Sequence, residues 1–208
     1  MSLNTFIIIP SRIGSTRLIN KPLVDISGKS LIQRVYENAS LTSTKVYIAT
    51  DSVIIKEHIK PLTSDVILTS PNHISGTDRV YEAAEKLELE DDALIINLQG
   101  DEPFMPIEVV NGLIETYKKN TSQIVTAAHR ITKRSLITDP NCVKAIIDDQ
   151  SCAVDFLRNI DYVDGTQYYQ HIGIYGYSMA ILRKLIELKP TPNEIERKLE
   201  QLRFLDNG

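Results

Sequence analysis

The chain has 208 residues, 42% of them hydrophobic, with 23 basic and 27 acidic side chains and a formal net charge of −4. That length suits one domain (1–208) with a sizeable core and room for a small appendage. The acidic balance argues against nucleic acid as a partner, and no apolar run reaches membrane-spanning length.

The first strand is expected at Phe6–Ile9, apolar and β-branched, with Pro10 ending it. It runs into Ser11-Arg-Ile-Gly-Ser-Thr-Arg17, and Lys21-Pro22 follows four residues later. A loop of glycine, hydroxyls and arginines turns N–H groups and positive charge toward an anion, so phosphate handling is the first function suggested. It is not a P-loop. Ser27-Gly28-Lys29-Ser30 imitates the end of one, but the glycine required five places before Gly28 is Leu23. No G-x-G-x-x-G occurs either.

Helix-like and strand-like segments then alternate, which argues for a parallel sheet covered by helices. Further strands are expected near Lys45–Ala49, Val66–Leu68, Ala93–Asn97 and Ile124–Ala128, and helices near Lys29–Leu41, Ser52–Lys60, Gly76–Leu87 and Pro106–Lys119. Asp51 or Ser52 reads as a helix cap. The polar stretch Thr69–Arg79 offers hydroxyls and N–H groups to a base or ribose, with Arg79 in reach of a phosphate. Within it, Ser75 and Asp78 have capping-box spacing. The strand ending in Asn97-Leu-Gln-Gly-Asp-Glu-Pro103 brings Asp101 to the carboxyl edge of the sheet, where ligands of open α/β folds sit. A carboxylate there suits Mg²⁺ shared with substrate phosphates.

Beyond Thr132 the rhythm changes. Strands at Val143–Ile147 and His171–Tyr177, separated by an irregular charged stretch, suggest a small antiparallel insertion over about 132–177, of the kind used as a lid or subunit contact. Helices are expected at Met179–Lys189 and Asn193–Leu205, the second capped by Asn193. Cys142 and Cys152 have no metal-ligand spacing and read as reduced thiols. A strand starting this close to Met1 leaves no room for a signal peptide, so a cytoplasmic protein is expected. From the residues alone, His171 reads as a packed core histidine and Glu200-Gln201 as a solvated helix face.

Six motifs in order resemble one family: Ile9-Pro-Ser-Arg-Ile-Gly-Ser-Thr-Arg-Leu18, Lys21-Pro-Leu-Val-Asp-Ile-Ser-Gly-Lys29, Ser75-Gly-Thr-Asp-Arg79, Asn97-Leu-Gln-Gly-Asp-Glu-Pro103, His171-Ile-Gly-Ile-Tyr-Gly-Tyr177 and Leu199-Glu-Gln-Leu-Arg203. The family is the 3-deoxy-manno-octulosonate cytidylyltransferases, which make CMP-Kdo for lipopolysaccharide. The resemblance implies an α/β, Rossmann-like nucleotidyltransferase fold: a mostly parallel sheet covered by helices, with a small antiparallel insertion. It also implies CTP, Mg²⁺, an acidic eight-carbon sugar and a homodimer. On this resemblance Ser11, Arg12 and Lys21 hold the triphosphate, with Ser15 and Arg17 lining the loop. Ser75, Gly76, Thr77 and Arg79 place the nucleotide, Gln99 faces the active site, and Asp101 binds metal. Arg12, Lys21 and Asp101 are the catalytic candidates; Arg158, His171, Tyr175, Glu200 and Gln201 lie on the sugar side.

The chain departs from the family pattern in three places. Ile19-Asn20 stands where Pro-Gly is usual, and asparagine tolerates the left-handed backbone such a turn needs. Asn159–Gln170 is short and lacks an Ile-Pro segment with basic residues. The family also continues past the equivalent of Gly208 into a tail whose aspartate helps Asp101 with metal, so weak or absent turnover is expected of these 208 residues. Two rival readings follow: a cytidylyltransferase for another acid sugar, and a truncated non-catalytic paralogue that binds nucleotide or dimerises.

Overall fold

The computed structural model describes residues 3–14, 18–119, 123–160 and 166–208. Two compact units divide the chain, Met1–Val125 with Ile174–Ile186, and Thr126–Gly173 with Glu187–Gly208.

The first unit opens with β1 (Thr5–Ser11), whose Ile7, Ile8 and Ile9 are fully buried. Pro10 does not end this strand. β1 pairs with the strand Lys45–Thr50 through Ser11 but with its other neighbour, Leu94–Leu98, only as far as Ile8. The Pro10 carbonyl faces Gly100, beyond the paired stretch on that second side. An extended residue points its N–H and C=O the same way, so the proline's missing donor forfeits no ladder bond. After a 3₁₀ turn at Lys21–Leu23 come β2 (Asp25–Ile26) and β3 (Lys29–Ser30), an antiparallel hairpin. Its turn residues Ser27 and Gly28 both have positive φ, 53° and 83°, the geometry of a tight two-residue hairpin. The P-loop look-alike is this turn. Helix α1 (Leu31–Ala39) therefore starts later than Lys29, behind a capping box made by Ser30 and Gln33.

There follow β4 (Lys45–Thr50), α2 (Val53–Ile59), β5 (Val66–Leu68), α3 (Gly76–Lys86), β6 (Leu94–Leu98) and α4 (Ile107–Lys119). The strands lie in the order β5-β4-β1-β6, all parallel. Because β1 sits between β4 and β6, the loops leaving β1 and β6 open a crevice at the carboxyl edge. All five residues of β6 are buried, as a strand covered on both faces requires.

The second unit takes up the chain within β7 (Ile124–Arg130) and continues through α5 (Arg134–Ile137), β8 (Lys144–Ile147) and β9 (Ala153–Leu157). β10 (Tyr169–Ser178) begins in this unit, where Tyr169 and Gln170 pair antiparallel with β8. It ends in the first, where Ile174–Ser178 pairs antiparallel with β6. β9 falls in the stretch read as irregular. Asp148 turns the chain ahead of it, its carboxylate accepting the N–H groups of Gln150 (2.9 Å) and Cys152 (2.8 Å), so the charged run is a hairpin turn.

Helix α6 (Met179–Glu187) is followed by α7 (Pro192–Arg197) and α8 (Gln201–Asp206), where one helix was expected. Lys198, left-handed at φ 55°, breaks them apart. Thr191, not Asn193, caps α7 through a capping box with Glu194. Leu199 and Leu202 pack with Ala145 and Phe156 into one of this unit's cores. Among the described residues no helix is long and apolar enough to cross a membrane.

Candidate active site

In the first unit, the loops after β1 and β6, with the start of α3, line a cleft of about 430 Å³. Ser11, Arg12, Lys21, Ser75, Gly76, Arg79, Gln99 and Asp101 all face it. Arg12 and Asp101 therefore share one crevice. Lys21 Nζ lies 2.5 Å from Asp101 Oδ2, with side chains 39% and 51% exposed. The turn that delivers Lys21 survives the Ile19-Asn20 replacement, because Asn20 takes the left-handed conformation at φ 54°. Ser15 and Arg17, expected in the same loop, lie outside the described residues.

The β1 and β6 loops approach so closely that a Cβ on Gly100 would sit 2.6 Å from the Pro10 carbonyl oxygen. Ser11 Oγ is buried and has no hydrogen-bond partner among the described residues. An orphaned hydroxyl in a cleft wall is costly unless a ligand completes it. Gln99 donates from Nε2 to Asn97 Oδ1 (3.1 Å), and Asn97 donates to the Tyr177 hydroxyl (3.0 Å). This buried relay turns the Gln99 carbonyl oxygen toward Gly76, so the cleft is offered an acceptor there. Burial and the neighbouring Asp101 charge push the Glu102 carboxyl above its usual range.

The start of α3 is closed by a capping box. Ser75 Oγ accepts the Asp78 N–H (3.1 Å), and Asp78 in turn accepts the Ser75 N–H (3.1 Å). Thr77 is buried beneath. Ahead of this cap, His73 pairs with Glu82, which also takes the Ser70 N–H (2.8 Å) and Lys86 (2.7 Å). Burial alone would raise the Glu82 pKa, but these donors outweigh it and hold the group at about 2. Arg79, expected near a phosphate, is buried and bonded to Thr69 Oγ1 (2.5 Å) and Asp51 (3.2 Å). Burial lowers its pKa.

Of the residues expected to meet the sugar, Arg158, His171, Glu200 and Gln201 belong to the second unit and Tyr175 to the first. Arg158 donates to three backbone carbonyls, those of Arg197 (3.1 Å), Lys198 (3.1 Å) and Pro140 (3.3 Å). Buried Lys144 bonds the Asp139 carbonyl (2.9 Å) and the carbonyl of Arg158 itself. His171 is packed edge-on against Phe156 at 4.8 Å, with Thr126 Oγ1 3.0 Å from Nε2. Burial lowers its pKa to about 4, so the ring is neutral at pH 7. Gln201 is buried, which corrects the reading of Glu200-Gln201 as a solvated face. Sequence reasoning gave no role to Asn97, Tyr177 or Lys144, buried strand positions each with at least one hydrogen bond to a residue remote in sequence.

A parallel sheet whose carboxyl edge sets a cationic loop opposite a carboxylate is an arrangement suited to a nucleotidyltransferase. Comparison with known proteins sharpens that class. Residues 6–208 match the cytidylyltransferase family. The chain is 39% identical to the 3-deoxy-manno-octulosonate cytidylyltransferase of Marinobacter nauticus, covering 97% of this chain and 85% of that protein. It is 40% identical to the Francisella tularensis protein of the same name, at 99% and 87% coverage. The solved structure of a CMP:2-keto-3-deoxy-manno-octonic acid synthetase complexed with CTP superposes with a TM-score of 0.90 at 33% identity, covering 99% of this chain and 86% of that one. A 4-diphosphocytidyl-2C-methyl-D-erythritol synthase from Anaerococcus prevotii shares the fold alone, at a TM-score of 0.60 and 17% identity. The chain belongs to the cytidylyltransferase family, within its 3-deoxy-manno-octulosonate cytidylyltransferase branch, and the non-catalytic alternative is not favoured.

Proposed function

We propose that this chain transfers a cytidylyl group from CTP to the anomeric hydroxyl of 3-deoxy-manno-octulosonate, releasing pyrophosphate. The observation that carries the reading is the single cleft holding Arg12, Lys21 and Asp101 beside the orphaned Ser11 hydroxyl, in a chain close to enzymes of that name. The sugar hydroxyl attacks the α-phosphorus in line: a new O–P bond forms, the bond to the β-phosphate oxygen breaks, and the hydroxyl proton leaves. Arg12 and Lys21 stabilise the charge gathering on the departing pyrophosphate, while the Gln99 carbonyl oxygen accepts a hydrogen bond from the ligand.

The donor set suits Mg²⁺. Asp101 presents a hard carboxylate, and among the described residues no cluster of three or more His, Cys, Asp or Glu side chains forms a cage. Mg²⁺ characteristically takes one or two carboxylates and fills its shell with phosphate oxygens and water. When bound, it neutralises phosphate charge and polarises the attacking oxygen.

Kdo activation for lipopolysaccharide, a cytoplasmic setting and a homodimer are parts of the same proposal, supported by the family resemblance. Pyrophosphate release from CTP, Mg²⁺ and a panel of acid sugars tests the reaction. Release with 3-deoxy-manno-octulosonate and not with a sialic acid is expected; the reverse preference overturns the substrate assignment. Light scattering on the purified chain tests the dimer.

A further inference from the structure

Asp51 stands at the end of β4, where an aspartate before a helix ordinarily caps it. Here Ser52 caps α2, its Oγ accepting the Ile55 N–H at 3.4 Å, and both oxygens of Asp51 serve elsewhere. Oδ1 accepts the N–H of Ile13 at 3.1 Å, in the loop after β1. Oδ2 accepts from Arg79 Nη2 at 3.2 Å. Arg79 donates from Nη1 to Thr69 Oγ1 at 2.5 Å, and the Thr69 N–H bonds the Thr50 carbonyl at 2.8 Å. One carboxylate therefore ties the loop after β1 to the ends of β4 and β5 and the first turn of α3. The side chains of Arg79 and Asp51 are only 3% and 10% exposed, so each charge depends on the other for neutralisation.

Ile13 directly follows Arg12, and the Ile13 N–H has little freedom while Asp51 holds it. Arg79 spends one N–H of each terminal nitrogen on Thr69 and Asp51, so its charge braces the loop from the wall of the cleft. The geometry points to Asp51 as a positioning residue for the triphosphate: through Ile13 it sets where Ser11 and Arg12 meet the phosphates, and through Arg79 it locks that loop to α3. The inference rests on the reading of the cleft as a CTP site. A displaced phosphate loop weakens contacts to the phosphates, while contacts to the nucleoside end are kept.

Titration calorimetry of CTP and of CMP against the full chain with Mg²⁺ tests this. CTP binding by the unaltered protein checks the underlying reading, and its absence overturns both. Given that binding, Asp51→Asn should raise the Kd for CTP at least tenfold and that for CMP less than twofold. In turnover, KM for CTP should rise with KM for the sugar unchanged. Asp51→Glu keeps the charge but displaces the carboxylate by one methylene, and should weaken CTP in the same selective way. It decides the matter where Asp51→Asn fails to fold. Equal losses for CTP and CMP, or no loss for CTP, would overturn the inference.

Discussion

Lys21 Nζ and Asp101 Oδ2, 80 residues apart in sequence, meet at 2.5 Å across the cleft. Both side chains are more than a third exposed, so their attraction is screened and contributes at most about 1 kcal/mol to folding. Held this way, a cation and an anion are stored beside the proposed phosphate site, each ready for a stronger partner. Lys21→Met and Asp101→Asn should each cut turnover by at least about a hundredfold while moving stability by less than about 1 kcal/mol. Steady-state rates and urea melts on the same samples check both halves. Chelation of divalent ions should abolish turnover of the unaltered enzyme, and activity persisting in EDTA would remove Mg²⁺ from the scheme.

Gly100 is required by space, not by backbone conformation. Its added Cβ would lie 2.6 Å from a backbone oxygen of the central strand, which has nowhere to retreat. Gly100→Ala should cost about 1–3 kcal/mol and also reduce turnover, since it pries the β6 loop from the β1 loop. A urea melt that matches the parent curve would show that the loops are further apart than described.

His171 makes stability depend on pH. Its folded pKa is about 4 against 6.5 for a free ring. Between those values the unfolded chain binds the extra proton, so stability falls as pH drops from about 6.5 toward 4 and is untouched above. The full swing is at most about 3 kcal/mol. Glu82, with a folded pKa near 2 against 4.5, loses its stabilising effect only below about pH 4.5. Urea denaturation at pH 7 and pH 5 separates the two windows. His171→Asn should flatten the difference between those pH values.

Lys144 is fully buried, and its ammonium serves the Asp139 and Arg158 carbonyls. Burial lowers its pKa, yet removing the group leaves those oxygens without that donor. Lys144→Met should therefore destabilise by about 2–4 kcal/mol despite its better hydrophobicity. Arg158→Lys should lose the fork onto the Arg197 and Lys198 carbonyls and lower the melting temperature. No change in melting temperature would return Arg158 to a purely ligand-facing role.

Much of this was legible in the chain itself. The runs Phe6–Ile9, Lys45–Ala49 and Ala93–Asn97 are apolar because parallel strands are covered on both faces, and Ser75 with Asp78 caps α3 as their spacing predicts. Alternation implies parallel strands, whose carboxyl ends share one edge, which is why Arg12, Lys21 and Asp101 could be assigned to one cleft; that β1 and β6 are neighbours there is set by the strand order. Such patterns act between near neighbours, so a linear reading captures them.

What only the tertiary structure decided is where long polar side chains spend their hydrogen bonds. Arg79 turns to Asp51 and Thr69, Arg158 reaches three carbonyls, and Gln201 is buried in a helix whose sequence looks solvated. A strand survives its own proline because the neighbouring strand stops pairing two residues earlier. Each outcome depends on which distant donor or acceptor the fold brings within about 3 Å, and a buried polar group must be satisfied by whatever stands there. Local pattern sets the elements; the pairing of remote charges is settled only once they pack.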